Sequence, residues 1–361
     1  MKILILTRYT RMGASSRLRF HQYLPLWEAQ GIACDTVPLL NEQYLQDLYA
    51  KRPVDKKNLF RCYGRVFRTL LRARAYDAVV VEKEVFPFLP PLAEAWLRLL
   101  GVPYIVDYDD AIFHNYDLHP SRLIRFVLGP KIRYVMRKAA LVVCGNAYLE
   151  DYARKAGAIH TVVIPTVIDA GRYRVKTREG NAPAADLAPV VIGWIGSPSS
   201  LKYLDALSPV LDELTTTYTA RVHIIGGKSG IGLGERERVL EWTEEKEGDL
   251  IEGLDIGIMP LEDSPWERGK CGYKLIQYMG CGLPVVGSPV GVNREIIVEG
   301  VNGFSADGAE EWKASLERLI EDADLRRVMG TEGRKLVMDK YALTRAADIW
   351  SAHLKKSVKR K

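Results

Sequence analysis

Apolar residues fall in short continuous runs rich in Val, Ile and Leu, separated by stretches in which apolar positions recur every three or four residues. The runs lie at 3–7, 32–37, 78–82, 104–107, 141–144 and 161–164, then at 190–195, 222–225, 256–259, 284–287 and 303–306. Continuous rather than alternating runs predict strands covered on both faces. The segments between them, such as 17–30 and 312–322, carry the period of amphipathic helices. Strands alternating with helices predict parallel sheets with right-handed crossovers, an α/β doubly wound architecture. The weakly periodic stretch 171–189, GRYRVKTREGNAPAADLAP, reads as a linker. It separates a Rossmann-like domain at 1–170 from a second at 190–339.

Composition adds exclusions. With 361 residues, 47% hydrophobic and 27% charged, the chain is long enough for two ordinary cores and is neither disordered nor repetitive. No run of about 18 apolar residues is present, so no membrane span is expected. Met1–Leu6 reads as a buried first strand, because its apolar run is too short for a signal-peptide core. Five cysteines without a C-x-x-C, and six histidines without H-E-x-x-H, predict free thiols in a reducing cytoplasm and no metal site. Net charge is +6 but uneven: 24 basic and 16 acidic residues in 1–170, 22 and 29 in 171–348, and five basic residues in the last thirteen.

Ligands of open parallel sheets bind at the carboxyl ends of the strands, so the loops leaving strands carry the candidate chemistry. After the first strand, Gly13, Ser15 and Ser16 precede a helix, where backbone N–H groups can meet an anion or sugar hydroxyl. Alternatively a serine caps that helix. A lone Gly13 is no dinucleotide fingerprint, and Gly227-Lys228-Ser229 is no P-loop, since Val222 stands where that motif needs glycine. Gly226 instead ends a strand and opens a pocket wall. After the fourth strand come Asp107, Asp109 and Asp110, a crowding of like charges that suits sugar-hydroxyl recognition, a base or a metal dyad, or else a helix cap. The densest stretch is 255–303. Its helix, opening at Gly272 beside Lys270 and Lys274, offers free N–H groups and a positive dipole end for a diphosphate. Gln277 follows Lys274 by one turn on the same face.

The run D-I-G-I-M-P-L from Asp255, K-C-G-Y-K-L-I-Q-Y-M-G-C-G-L-P-V-V from Lys270 and G-V-N-G-F from Gly300 resembles the nucleotide-sugar half of the family 4 glycosyltransferases. V-I-P-T-V-I-D at 163–169 and the tail from Leu325 to Tyr341 extend the likeness. The resemblance implies the GT-B fold, two Rossmann-like doubly wound parallel-sheet domains facing a central cleft, with a final helix at about 340–361 returning to the first domain. It further implies retaining transfer from a nucleoside-diphosphate sugar to a glycan or lipid-linked acceptor, with no cofactor and no required metal. The family's Lys after the first strand of the second domain falls on Lys202, and its Arg on Ser197. Its two glutamates, eight positions apart, fall on Gly269 and Gln277, with Glu267 two residues upstream of the first.

Asp109, Asp110, Lys202 and Lys274 are therefore the expected catalytic residues. The expected donor-binding residues are Gly13, Ser15, Ser197, Lys202, Gly226, Glu267, Lys270, Gly272, Lys274 and Gln277. Loss of both glutamates keeps a non-catalytic sugar-nucleotide- or glycan-binding homologue open, and the two Rossmann-like halves keep a sugar-nucleotide epimerase open. Residues 51–74 hold nine basic residues against Asp55, and 122–138 hold six against none. These faces suit an anionic membrane on the inner side of the plasma membrane, or simply solvent. No nucleic-acid reading motif is present.

Overall fold

In a computed structural model of the chain, the described residues are 1–50, 52–175 and 188–358. Most of the expected linker, 176–187, lies outside them, as do Lys51 and 359–361. The chain divides into two units: Met1–Thr166 with Arg268–Cys271 and Leu343–Lys361, and Val167–Glu267 with Gly272–Ala342. The helices used below are α1 (Lys56–Leu70), α2 (Arg122–Leu128), α3 (Leu201–Thr217), α4 (Glu247–Glu252), α5 (Tyr273–Gly280) and α6 (Leu343–Val358).

The first unit is built on β1 (Lys2–Thr7), β2 (Ala33–Pro38), β3 (Ala78–Glu82), β4 (Tyr104–Tyr108), β5 (Leu141–Cys144) and β6 (Thr161–Val163). All pairings are parallel, in the order β2-β1-β3-β4-β5-β6. The central strands β3 and β4 are buried along their whole length, which is why they read as continuous apolar runs up to Glu82 and Asp107. The order reverses between β1 and β3, so the loops leaving these two strands flank the binding crevice of this sheet. The expected helix over 17–30 is broken into a π-turn, Arg17–His21, and a helix at Leu24–Ala29. Pro25 accounts for the break: it lies in the first turn of Leu24–Ala29, where its missing N–H costs nothing, whereas inside a continuous helix it would forfeit a backbone bond and crowd the carbonyl four residues earlier. Trp350 of α6 packs on Trp27 and Phe20, with centroids 5.7 and 6.3 Å apart.

The second unit holds β7 (Val190–Ile195), β8 (Ala220–Ile225), β9 (Glu237–Leu240), β10 (Ile256–Met259), β11 (Val285–Gly287) and β12 (Gly303–Ser305), parallel in the order β12-β11-β10-β7-β8-β9. Its order reverses between β7 and β10. Tyr278 ties these two strands: its hydroxyl accepts from Ile195 N–H at 2.8 Å and donates to the Ile258 carbonyl at 3.2 Å. Gly257 is needed there, since a Cβ would stand 2.2 Å from the Tyr278 ring. The core of this unit gathers Trp194, Leu204, Leu211, Val222, Ile224 and Leu316.

Arg268–Cys271, which the sequence reading leaves inside 190–339, groups with the first unit. Asn146 Nδ2 donates to the carbonyls of Gly269 and Lys270 at 3.0 and 2.9 Å, and Cys271 Sγ to the Asp109 carbonyl at 3.1 Å. No helix among the described residues is long and apolar enough to cross a membrane.

Candidate functional site

The predicted residues separate by unit. Gly13, Ser15, Asp109, Asp110 and Lys270 belong to the first; Ser197, Lys202, Gly226, Glu267, Gly272, Lys274 and Gln277 belong to the second.

In the first unit the loop leaving β1 turns at Gly13, whose N–H bonds to the Thr10 carbonyl at 2.9 Å. A Cβ there would stand 2.5 Å from that of Tyr9, so only glycine fits. Neither serine caps the helix that follows. Ser16 Oγ instead donates to Glu82 Oε2 at 2.6 Å and accepts from Tyr9 N–H at 2.9 Å. Ser15 Oγ lies between Glu82 Oε1 at 2.8 Å and Asp109 Oδ2 at 2.6 Å. Lys83, held at the left-handed φ of 67°, places its ammonium 2.8 Å from Asp109 Oδ1 and 3.2 Å from Asp110 Oδ2. Such a backbone is uncommon for a side chain other than glycine, and it marks the exit of β3 as a constrained position.

The three aspartates therefore have different tasks. Asp107 is fully buried and forked by Arg19, Nε to Oδ2 at 2.9 Å and Nη2 to Oδ1 at 2.5 Å; it ties the π-turn to β4 and is closed to a sugar. Asp109 and Asp110 keep partial exposure around Lys83. Burial alone raises the Asp109 carboxyl, but Lys83, Arg19 and the Ser15 bond outweigh it and hold it below its ordinary value. Burial raises Asp110, which Lys83 only partly offsets. Burial likewise raises Glu82. Lys270 acts on Asp110 from within this unit. Gly269, at the place of the family's first glutamate, abuts Ala111: a Cβ would stand 2.5 Å from the Ala111 Cβ and 2.7 Å from its backbone nitrogen.

In the second unit, Lys274 in the first turn of α5 sets its ammonium 4.9 Å from the ring centroid of Trp194. Lys202, in the first turn of α3, lies 4.7 Å over the Tyr203 ring. Aromatic faces thus place both cations at helix starts, where charge and dipole favour an anion. Gly272 precedes α5 at φ 64° and Gly226 follows β8 at φ 80°; both conformations favour glycine. Ser197 Oγ is 2.9 Å from Ser199 Oγ in the exposed loop after β7. Glu267 is buried, and its two oxygens accept from the hydroxyls of Tyr203 and Ser264.

Gln277 is buried in a network the sequence did not reveal. Its Nε2 donates to the Tyr173 hydroxyl at 3.3 Å, and that hydroxyl donates to Glu247 Oε1 at 2.5 Å. Trp242 Nε1 donates to the other Glu247 oxygen at 2.8 Å. Sequence reasoning missed Glu247, in an acid-rich stretch with no motif, and Glu82 and Lys83, whose only signal was charge ending an apolar run. Among the described residues no three His, Cys, Asp or Glu side chains converge as metal ligands. A cavity of about 420 Å³ at the amino ends of β5 and β6 contains none of the predicted residues.

Two six-stranded parallel sheets, each with charged groups at its strand-order reversal, define the GT-B class. The family model for glycosyl transferases group 1 matches residues 189–322, and that for the glycosyl transferase 4-like domain matches 13–166. The chain belongs to the group 1, family 4 glycosyltransferases. It is 25% identical over 183 residues to D-inositol 3-phosphate glycosyltransferase of Rhodococcus jostii, a match spanning 44% of this chain and 39% of that protein. Among solved structures, sucrose-phosphate synthase from Thermosynechococcus elongatus has a TM-score of 0.73 at 14% identity, with both chains fully covered. Anabaena HepE in complex with UDP-glucose has a TM-score of 0.69 at 18% identity, covering 99% of this chain and 100% of that one.

Proposed function

We propose that the protein transfers a sugar, with retention, from a nucleoside-diphosphate sugar to a glycan or lipid-linked acceptor in surface polysaccharide or glycolipid synthesis. The observation that carries this reading is the pair of aromatic-seated cations, Lys202 and Lys274, at helix starts in the second unit. They supply fixed positive charge for the diphosphate, whose negative charge grows as the bond from the anomeric carbon to phosphate breaks. As the acceptor oxygen bonds to that carbon, its proton passes to the departing phosphate, so the step needs no cofactor and no metal. Gln277 commits Nε2 to Tyr173 and keeps Oε1 as an acceptor for a ribose hydroxyl. Asp109 and Asp110 accept from hydroxyls of the transferred sugar or its acceptor. The UDP-glucose complex of HepE supports a uridine nucleotide as the first donor to try.

The acceptor side is the basic first unit, at the cytoplasmic face of the plasma membrane. Supporting this, α1 and α2 expose Phe60 at 81% and Phe126 at 84% among Arg61, Arg65, Arg68, Arg122 and Arg125. Apolar side chains with flanking cations suit an interface of anionic lipid. Phe126→Glu is expected to weaken sedimentation with phosphatidylglycerol vesicles and to leave melting unchanged; equal sedimentation contradicts this surface.

Lys202→Ala and Lys274→Ala each remove one cation from the diphosphate and should lower turnover about 10- to 100-fold, the equivalent of a lost charged hydrogen bond. Near-normal turnover in both sinks the site. The lack of room for a glutamate at Gly269 favours a second reading, a non-catalytic sugar-nucleotide-binding homologue. Release of nucleoside diphosphate from any donor in a panel removes it.

A further inference from the structure

Ser15 Oγ touches two carboxyl groups, Glu82 Oε1 at 2.8 Å and Asp109 Oδ2 at 2.6 Å, but a hydroxyl has one hydrogen. If both carboxyls were ionised, one of these contacts would press two oxygens together with no hydrogen between them. The other oxygens cannot hold the missing proton. Glu82 Oε2 already accepts from Ser16 O–H at 2.6 Å and Arg8 N–H at 2.7 Å, and Asp109 Oδ1 faces the Lys83 ammonium at 2.8 Å. One further proton therefore sits on an oxygen that faces Ser15.

We propose that Glu82 is a positioning residue that carries this proton and exchanges it with Asp109 through Ser15. In the resting arrangement neutral Glu82 donates to Ser15 Oγ, and Ser15 donates to ionised Asp109. In the exchange the Glu82 O–H bond breaks as Ser15 Oγ takes the proton. Ser15 releases its own proton to Asp109 Oδ2. Glu82 ends ionised, Asp109 neutral and Ser15 unchanged, with no net charge gained.

The surroundings favour the resting arrangement. Glu82 is fully buried, whereas Asp109 keeps 12% of its side chain exposed and faces Lys83. The charged groups around the trio are Arg8 from the β1 exit, Arg19 from the π-turn and Lys83 and Glu84 from the β3 exit. Asp107 and Asp110 face it from β4 and its exit, and Lys270 from 268–271. Asp109 can thus present a carboxylate or a neutral acid to a sugar hydroxyl without drawing a proton from solvent. That last consequence rests on the proposed role of Asp109; the proton on Glu82 does not.

Glu82→Gln is the matched variant, since its carbonyl accepts from Ser16 and Arg8 while its amide donates to Ser15. Infrared difference spectra of the full chain at pH 7 should show a neutral carboxylic-acid carbonyl that Glu82→Gln removes and deuteration shifts. No such difference overturns the proton assignment. Carbon-13 spectra of the wild-type side-chain carboxyls check it without a variant: a neutral-acid Glu82 is expected, and an ionised one overturns it. Glu82→Gln should also lower kcat with KM unchanged and displace the acidic limb of its pH profile. An unaltered profile overturns the positioning role. If no donor turns over at all, the spectra still decide the proton.

Discussion

Each unit carries a hydroxyl between two polar side chains, and the two differ in the first donor. In the second unit Gln277 donates to Tyr173, which donates to Glu247. In the first, Glu82 stands where an amide would, on the far side of Ser15 from Asp109. The amide chain is complete at any neutral pH, because every hydrogen it needs is covalently fixed. The carboxyl chain is complete only with one extra proton, which makes the first unit responsive to acidity. The comparison also explains Gln277 itself: a glutamate there would set two carboxylates on the single Tyr173 proton.

The first unit can crowd its acids only because buried cations face them, so the largest effect is expected from removing one. Arg19→Ala leaves Asp107 buried without its partner and should cost about 3–5 kcal/mol in chemical denaturation. A loss within the range of a surface substitution would show that Asp107 does not depend on it. Gln277→Glu should cost about 2–3 kcal/mol at pH 7, since it forces two carboxylates onto one hydroxyl. The new carboxyl is held above its ordinary value, so it costs little below its unfolded pKa of about 4.3 and most above its folded one. Its deficit in melts should widen from acid to neutral pH; a narrowing deficit contradicts the comparison.

Gly269→Glu restores a family glutamate in sequence but sets its Cβ into Ala111, and about 1–3 kcal/mol of overpacking should follow with no gain in turnover. The smallest effect belongs to Glu82→Gln. Burial raises Glu82, so its contribution to stability is complete below about pH 4.3 and is lost as pH rises through the folded value. The amide has no such loss. Relative to wild type, Glu82→Gln should gain stability as pH rises in urea denaturation; a relative decline argues for an ionised Glu82.

The fold was legible because both faces of most strands are covered: β3, β4 and β5 are buried throughout and appear as apolar runs. The strand that escaped, β9, is the edge strand Glu237-Arg238-Val239-Leu240, with Arg238 and Val239 exposed and no apolar run. Gly226 and Gly272 were legible as turn positions because their left-handed φ favours glycine. The proton-sharing trio was not, because it joins residues 67 and 94 positions apart. Spacing along the chain also grouped Lys270 with Lys274, whereas the carbonyls of Gly269 and Lys270 bond to Asn146 and Lys270 lies with the first unit.

The central claim is that the second unit binds a nucleoside diphosphate through Lys202 and Lys274. Thermal denaturation of the full chain with UDP, GDP, ADP, TDP and their sugars tests it most directly. One nucleotide at 100 times its dissociation constant should stabilise wild type by about 2.7 kcal/mol, and Lys274→Ala should need far more of it for the same shift. No shift with any of them, or an identical response in Lys274→Ala, contradicts the account.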